Sequence, residues 1–148
     1  MNAFEKPAPR LKPLAPDPGI ADIFSLFDCI GSIVPNAILI MQRRPKLVRA
    51  YMQMMAAVSD PETSEVDPAF KRLIAHVASR AAGCRYCMSH TAGLARGSGI
   101  DDAKLNGVWK YATSPLYSEA ERIALDVALA AGGVPNGVDD EMFAKLRA

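Results

Sequence analysis

The chain has 148 residues, enough for one ordinary hydrophobic core and too few for two comfortable domains. Its 17 Lys+Arg against 16 Asp+Glu give a formal net charge of +1, so no global field draws it to nucleic acid or to an anionic membrane surface. With 50% hydrophobic and 22% charged residues it has the apolar matter for a packed core, which excludes an intrinsically disordered chain.

The opening "MNAFEKPAPRLKPLAPDPG" is proline-rich and lacks the apolar centre of a secretory signal. It reads as an extended arm over residues 1–17, lying on the surface or on a partner subunit, ahead of a single all-helical domain over residues 18–148. The expected compartment is the reducing cytoplasm, where a close cysteine pair is more often catalytic or metal-binding than a structural disulfide.

Asp17 and Pro18 suit an N-cap and a first helical position, and Ile20, Ile23, Phe24, Phe27 and Ile30 follow at helical spacing. The stretch "IFSLFDCIGSIVPNAILIM" reaches the length of a bilayer crossing, but Asp28, Gly31, Pro35 and Asn36 interrupt it. Two short buried helices joined by a turn are expected there, with Pro35 opening the second, and no membrane partner. Cys29 reads as a buried core thiol without chemistry. After Pro45, Leu47, Tyr51, Met54, Met55 and Val58 form an apolar stripe, and Met52 adds to the packing of that helix.

Asp67 and Pro68 cap a helix that runs to about Ala82 and stops at Gly83. On it Arg72, His76, Ser79 and Arg80 share a stripe with Gly83, opposite Leu73, Val77 and Ala81. That stripe reads as a solvated face in preference to a proton relay, with His76 the candidate second base if it is a relay. Past the next helix, "GSGIDD" is a turn with Asp101 as a cap, and "AKLNGVWKYATS" is a helix in which Trp109 anchors the core or a subunit contact. Ser118 and Glu121 have the spacing of a capping box, and Ile123, Ala124, Val127, Ala128 and Ala131 give the apolar face of a helix stopped by Gly132 and Gly133. A last helix begins near Asp139. No run alternates strictly between apolar and polar residues, so the fold class is all-α.

The chemistry concentrates in "AAGCRYCMSHTAG", residues 81–93. With Gly83 ending one helix and "CRYCMSHTAGLAR" starting another, Cys84 stands at a helix N-terminus and Cys87 in its first turn. Unpaired N–H groups and the positive end of the helix dipole stabilise a thiolate there, and a C-x-x-C pair on one turn can close into a disulfide. His90, three residues after Cys87, shares its side of the helix and is placed to take its proton. Three other readings compete. A structural zinc site needs four ligands, and only the distant His76 or Cys29 could complete one. Covalent haem attachment needs a histidine where Met88 stands. The third makes both cysteines small core residues and His90 a satisfied polar neighbour.

The stretch "LIAHVASRAAGCRYCMSHTAGLARGSG" resembles the core of the carboxymuconolactone decarboxylase and alkylhydroperoxidase D superfamily. "PNAILIMQRRPKLVRAY" and "SPLYSEAERIALDVALAAG" are similar to the family's flanking helices. The resemblance implies an alkylhydroperoxidase D-like helical bundle, assembled as a homo-oligomer, a trimer or a hexamer. It also implies a peroxidase that reduces hydroperoxides with no bound cofactor or metal, reset by an external dithiol donor. Cys87 would attack peroxide, Cys84 would pair with it, and His90 would relay protons. Two positions depart from the family pattern. The histidine commonly stands one residue later, at Thr91 here, and Arg72 occupies the glutamate's usual place twelve residues before Cys84. Relatives also usually continue with a further apolar helix after "DDEMFAKLRA", so a short form or a fragment is expected. The other named branch is a lactone-decarboxylating lyase, whose chemistry uses no cysteine pair, and a non-catalytic redox-sensing oligomer is the remaining alternative.

Overall fold

The computed structural model describes residues 10–27, 34–60 and 62–148. Residues 1–9 of the expected arm, together with Asp28, Cys29, Ile30 and Gly31, lie outside them. Among the described residues there are eight α-helices and no strand, so the chain is all-α as expected. None of these helices is long and apolar enough to cross a membrane. The chain divides into two compact units, Met1–Asp60 and Pro61–Ala148.

In the first unit the Asp17 carboxylate accepts the N–H of Gly19 at 2.8 Å, and Pro18 starts a 3-10 turn, Pro18–Ile20, that leads into α1 (Ala21–Ser25). Pro35 caps α2 (Asn36–Met41), and Pro45 opens α3 (Pro45–Ser59). Ile20, Ile23, Phe27, Ile38 and Val48 form the core. The described part of the proline-rich arm is tied down by a buried residue the sequence did not signal. Gln42 accepts the N–H of Asp17 at 2.8 Å, and its amide donates to Ala15 O and Leu39 O at 3.0 Å and to Leu14 O at 3.2 Å. Every polar atom of that side chain has a partner, which is what makes its burial affordable.

The apolar stripe on α3 needs correction. Its buried face runs through Val48, Met52 and Met55, whereas Leu47, Tyr51, Met54 and Val58 are exposed. The helix is apolar on adjoining faces, and periodicity alone does not say which one turns to the core.

In the second unit α4 (Pro68–Ala81) packs on α5 (Arg85–Gly97) and on α7 (Glu119–Gly132), and α8 (Asp140–Arg147) lies against α7. Phe70, Leu73 and Val77 of α4 join Ala95, Leu105, Val108, Tyr117, Leu125 and Ala128 in one core. The predicted caps are formed. Asp67 accepts from Phe70, Asp101 from Ala103 and Lys104, and Asp139 from Met142. Ser118 and Glu121 make both halves of the capping box. The helix expected through "AKLNGVWKYATS" is broken instead, into α6 (Asp102–Asn106) and a 3-10 turn, Val108–Lys110. Gly107 caps α6, and Arg122 holds the chain beyond by donating to Tyr111 O at 3.2 Å and Ser114 O at 2.8 Å.

Candidate active site

The end of α4 places the first motif cysteine. Gly83 takes a φ of 66°, a left-handed conformation that a Cβ disfavours. Its N–H donates to Arg80 O at 2.9 Å, and the N–H of Cys84 donates to Ser79 O at 3.0 Å, the paired bonds of a Schellman turn. Cys84 is in turn the N-cap of α5, with extended backbone and a sulfur that accepts the N–H of Cys87 at 3.2 Å. One residue therefore closes one helix and opens the next, and the expected placement of Cys84 at a helix N-terminus and Cys87 in its first turn holds. The two half-buried sulfurs are at disulfide distance, 2.17 Å. The first turn of α5 carries no acid to oppose the positive helix end, which favours a thiolate once the pair is reduced.

The covering of α5 separates two faces. Cys84, Cys87, Met88, Thr91 and Ala92 are partly covered and Ala95 is buried, whereas Arg85, Tyr86, Ser89 and His90 are exposed. His90 lies on the exposed side, its ring stacked near that of Tyr86 with centroids 6.2 Å apart.

His76 is where the structure departs furthest from expectation. The polar stripe of α4 is not a solvated face at this residue, which is only 7% exposed. Its Nδ1 lies 3.1 Å from Met88 O and 3.1 Å from Thr91 Oγ1, and the Thr91 hydroxyl donates to Cys87 O at 2.7 Å. Trp109 covers the imidazole at 5.1 Å between ring centroids, and the Arg80 guanidinium stacks on that indole at 4.1 Å. Burial pushes the His76 pKa below 6.5. The bond to Met88 O works the other way, and the charges of Arg96 and Arg80 add to the lowering. The net effect favours the neutral imidazole. Arg72, one turn earlier on α4, is partly buried, and it is Arg96 and Arg80 whose charges act on His76.

Thr91 and Trp109 are the parts of this arrangement that the sequence reading did not assign. Thr91 carried a signal, since it stands four residues after Cys87 and seven after Cys84, on one helix face with them. Trp109, expected to anchor the core or a subunit contact, is instead 39% exposed, and nothing local linked it to His76 because it arrives from a turn distant in sequence. Cys29 lies outside the described residues. Among the described residues no three His, Cys, Asp or Glu side chains come together as a metal-binding group.

Residues 45–130 match the Carboxymuconolactone decarboxylase family. The chain is 32% identical over 98 residues to the uncharacterized protein YnjA of Escherichia coli (strain K12), an alignment covering 66% of this chain and 53% of that protein. It thus spans about half the length of the curated relative it matches. Among solved structures it is similar to the debrominase Bmp8. A cysteine-to-alanine variant of that protein in complex with 2,3,4-tribromopyrrole superposes with a TM-score of 0.84 at 30% identity, over 94% of this chain and 74% of that one. The apo form superposes with a TM-score of 0.83 at 30% identity, over 93% and 74%.

Proposed function

We propose, from the premise that the chain belongs to the carboxymuconolactone decarboxylase family, that it is a thiol-dependent oxidoreductase reducing hydroperoxides through Cys84 and Cys87. The observation that carries this reading is the pair of sulfurs 2.17 Å apart at the start of α5. In the reaction, the Cys87 thiolate attacks one peroxide oxygen, the O–O bond breaks, and the alkoxide leaves and takes a proton. Cys87 is left as a sulfenic acid. The Cys84 thiol attacks its sulfur, water leaves, and the disulfide forms. An external dithiol returns two electrons and two protons to open it. These roles for the two cysteines follow the family resemblance, and no cofactor or metal enters the cycle.

The working unit in this reading is a homo-oligomer, a trimer or a hexamer. The exposed Leu47, Tyr51 and Met54 on α3 support it, since a second copy would cover them.

The similarity to a debrominase favours one further reading, in which the same dithiol removes bromine from an aryl bromide. There the two thiols supply two electrons, and the products are the hydrogen-bearing arene, bromide with a proton, and the disulfide. One assay series separates the readings. Repeated consumption of hydroperoxide with a dithiol donor supports the peroxidase, and bromide release from a bromopyrrole without peroxide turnover supports the dehalogenase. A single oxidation that the donor does not turn into a cycle supports a redox sensor, and thiols inert to both substrates overturn the proposal.

A further inference from the structure

Residues 68–100, which form α4, the motif turn and α5, hold five of the chain's 17 basic residues and none of its 16 acids. The five are Lys71, Arg72, Arg80, Arg85 and Arg96. A net charge of +1 therefore conceals a polarised second unit, with the dithiol inside its positive part. The acids that flank this stretch stand at its far ends, Asp67 at the start of α4 and Asp101 beyond the end of α5. α4 has 14 residues and α5 has 13, so each spans about 20 Å, well over the Debye length of about 8 Å at physiological salt. On α7, which packs on α4, Glu121 is held by Lys104 and Asp126 by the Tyr111 hydroxyl. Two of the five cations stand at the motif turn itself. Arg85 follows Cys84 directly, opens α5 and is exposed. Arg80 is exposed in the last turn of α4, where its carbonyl accepts the Gly83 N–H at 2.9 Å in the turn that delivers Cys84. Its guanidinium lies over the partly exposed Trp109 ring, 4.1 Å from the centroid, which fixes the cation without neutralising it. Among the described residues no carboxylate pairs with Arg80 or Arg85, whereas Arg96, at the other end of α5, pairs with Asp102 at 2.9 Å.

We propose that Arg80 and Arg85 make the Cys84–Cys87 turn selective for reactants that carry a carboxylate. The assignment rests on the dithiol reading above and names the class of reactant within it. A guanidinium offers a carboxylate two parallel N–H donors, and the acid-free stretch around the turn raises the local concentration of anions before contact. The exposed part of Trp109 beside Arg80 gives the apolar body of such a molecule a surface to lie on. Either partner of the dithiol cycle, the hydroperoxide or the external dithiol, can bring the carboxylate, and turnover tells the two apart.

The test alkylates the reduced full-length protein with iodoacetate, an anion, and with iodoacetamide, its neutral counterpart. Each forms a thioether and releases iodide, and both consume the same thiolate, so the ratio of their rates cancels any change in thiol pKa. The wild-type ratio of iodoacetate to iodoacetamide is expected to exceed that of N-acetylcysteine amide, a neutral reference thiol. Arg80→Gln and Arg85→Gln are each expected to lower it about two- to fivefold, the range of an exposed charge interaction. Salt at about 1 M should bring the wild type down to the variants. Arg80→Lys should keep most of the ratio, and Arg96→Gln, whose cation is already paired, should leave it unchanged. A wild-type ratio equal to the reference overturns the proposal without any variant, which keeps it testable should Arg80→Gln fail to fold. A fall in Arg96→Gln equal to that in Arg85→Gln overturns it as well, since net charge and not these two residues would be the cause. Turnover then locates the carboxylate, by comparing the wild type with the double variant Arg80→Gln/Arg85→Gln. A preference for linoleate hydroperoxide over its methyl ester, with dithiothreitol as donor, that the double variant loses puts the carboxylate on the oxidant. A preference for dimercaptosuccinate over dithiothreitol, with tert-butyl hydroperoxide, that it loses puts the carboxylate on the donor. Turnover with neither preference overturns the proposal. A protein that shows the iodoacetate ratio yet never turns over a hydroperoxide would refute the peroxidase reading and leave the selectivity standing.

Discussion

The backbone N–H of Cys84 donates to the carbonyl of Ser79 at 3.0 Å, so the first motif cysteine is held by the helix that precedes it as well as by the one it caps. That bond depends on Gly83, whose φ of 66° turns the chain back onto α4. Gly83→Ala has open space for its methyl group but not the conformation. It should cost about 1–2 kcal/mol, the penalty of a left-handed backbone for a residue with a Cβ. Urea unfolding measures the loss. A variant as stable as the wild type would mean that the turn is not held in this form.

The division of labour between the cysteines is tested one sulfur at a time. Cys87→Ser should abolish reaction with peroxide, because it removes the attacking thiol of the proposed cycle. Cys84→Ser should allow one oxidation and trap Cys87 as a sulfenic acid or a mixed disulfide. Serine is a preferred N-cap, so this replacement keeps α5 started and its effect is chemical. Mass spectrometry after one equivalent of peroxide decides between the sulfurs, and oxidation landing on Cys84 in Cys87→Ser would reverse the assignment.

Where α4 and α7 meet, Gly132 has no room for a side chain. A Cβ there would lie 2.5 Å from Ala78 O and 2.8 Å from Ala81 Cβ, neither of which can swing aside. Gly132→Ala should therefore destabilise by about 1–3 kcal/mol, the cost of overpacking, although alanine is the better helix former. Gly93 on α5 is the control, with nothing within 4 Å of its Cβ position. Gly93→Ala should stabilise by about 0.5–1 kcal/mol. Thermal unfolding of the pair checks both signs, and a Gly132→Ala that gains stability like Gly93→Ala would show that the helices do not approach so closely.

Much of this fold was legible because its signals are local. Asp67 with Pro68, Asp101, Asp139 and the Ser118/Glu121 box each satisfy helix N–H groups a few residues away, and Gly83 stops a helix where only glycine turns easily. The same locality placed Cys84 at the N-cap of α5 and Cys87 in its first turn. What the sequence did not disclose depends on partners that arrive from elsewhere. The exposed and buried faces of α3 are both apolar, so only packing separates Val48 from Leu47. His76 shares its stripe with two arginines and a serine and looks solvated until Trp109 and Thr91 close over it. Gln42 is a lone amide whose partners, Leu14, Ala15 and Asp17, lie across the chain from it.

The last prediction concerns acid stability, where the buried His76 and the partly buried Glu121 act in separate windows. His76 is held below its unfolded pKa of 6.5, first by burial, so as the pH falls through 6.5 the unfolded chain takes up a proton there more readily than the folded one. Its contribution to stability is present above pH 6.5 and is lost as the pH drops toward the lower folded value. Glu121 behaves alike in a lower window. Burial pushes its carboxyl up, but the bonds from Lys104 and from the Ser118 N–H outweigh that and leave it below 4.5. Its contribution is present above 4.5 and is lost as the pH falls through its folded pKa. Urea midpoints from pH 8 to pH 3 should thus decline in two steps. His76→Gln should remove the upper step and keep the lower, and Glu121→Gln should do the reverse. Trp109→Ala should shrink the upper step by letting water reach the imidazole and raising its pKa toward 6.5. An upper step unchanged in His76→Gln would show that another group titrates there and that burial does not hold the pKa of His76 down.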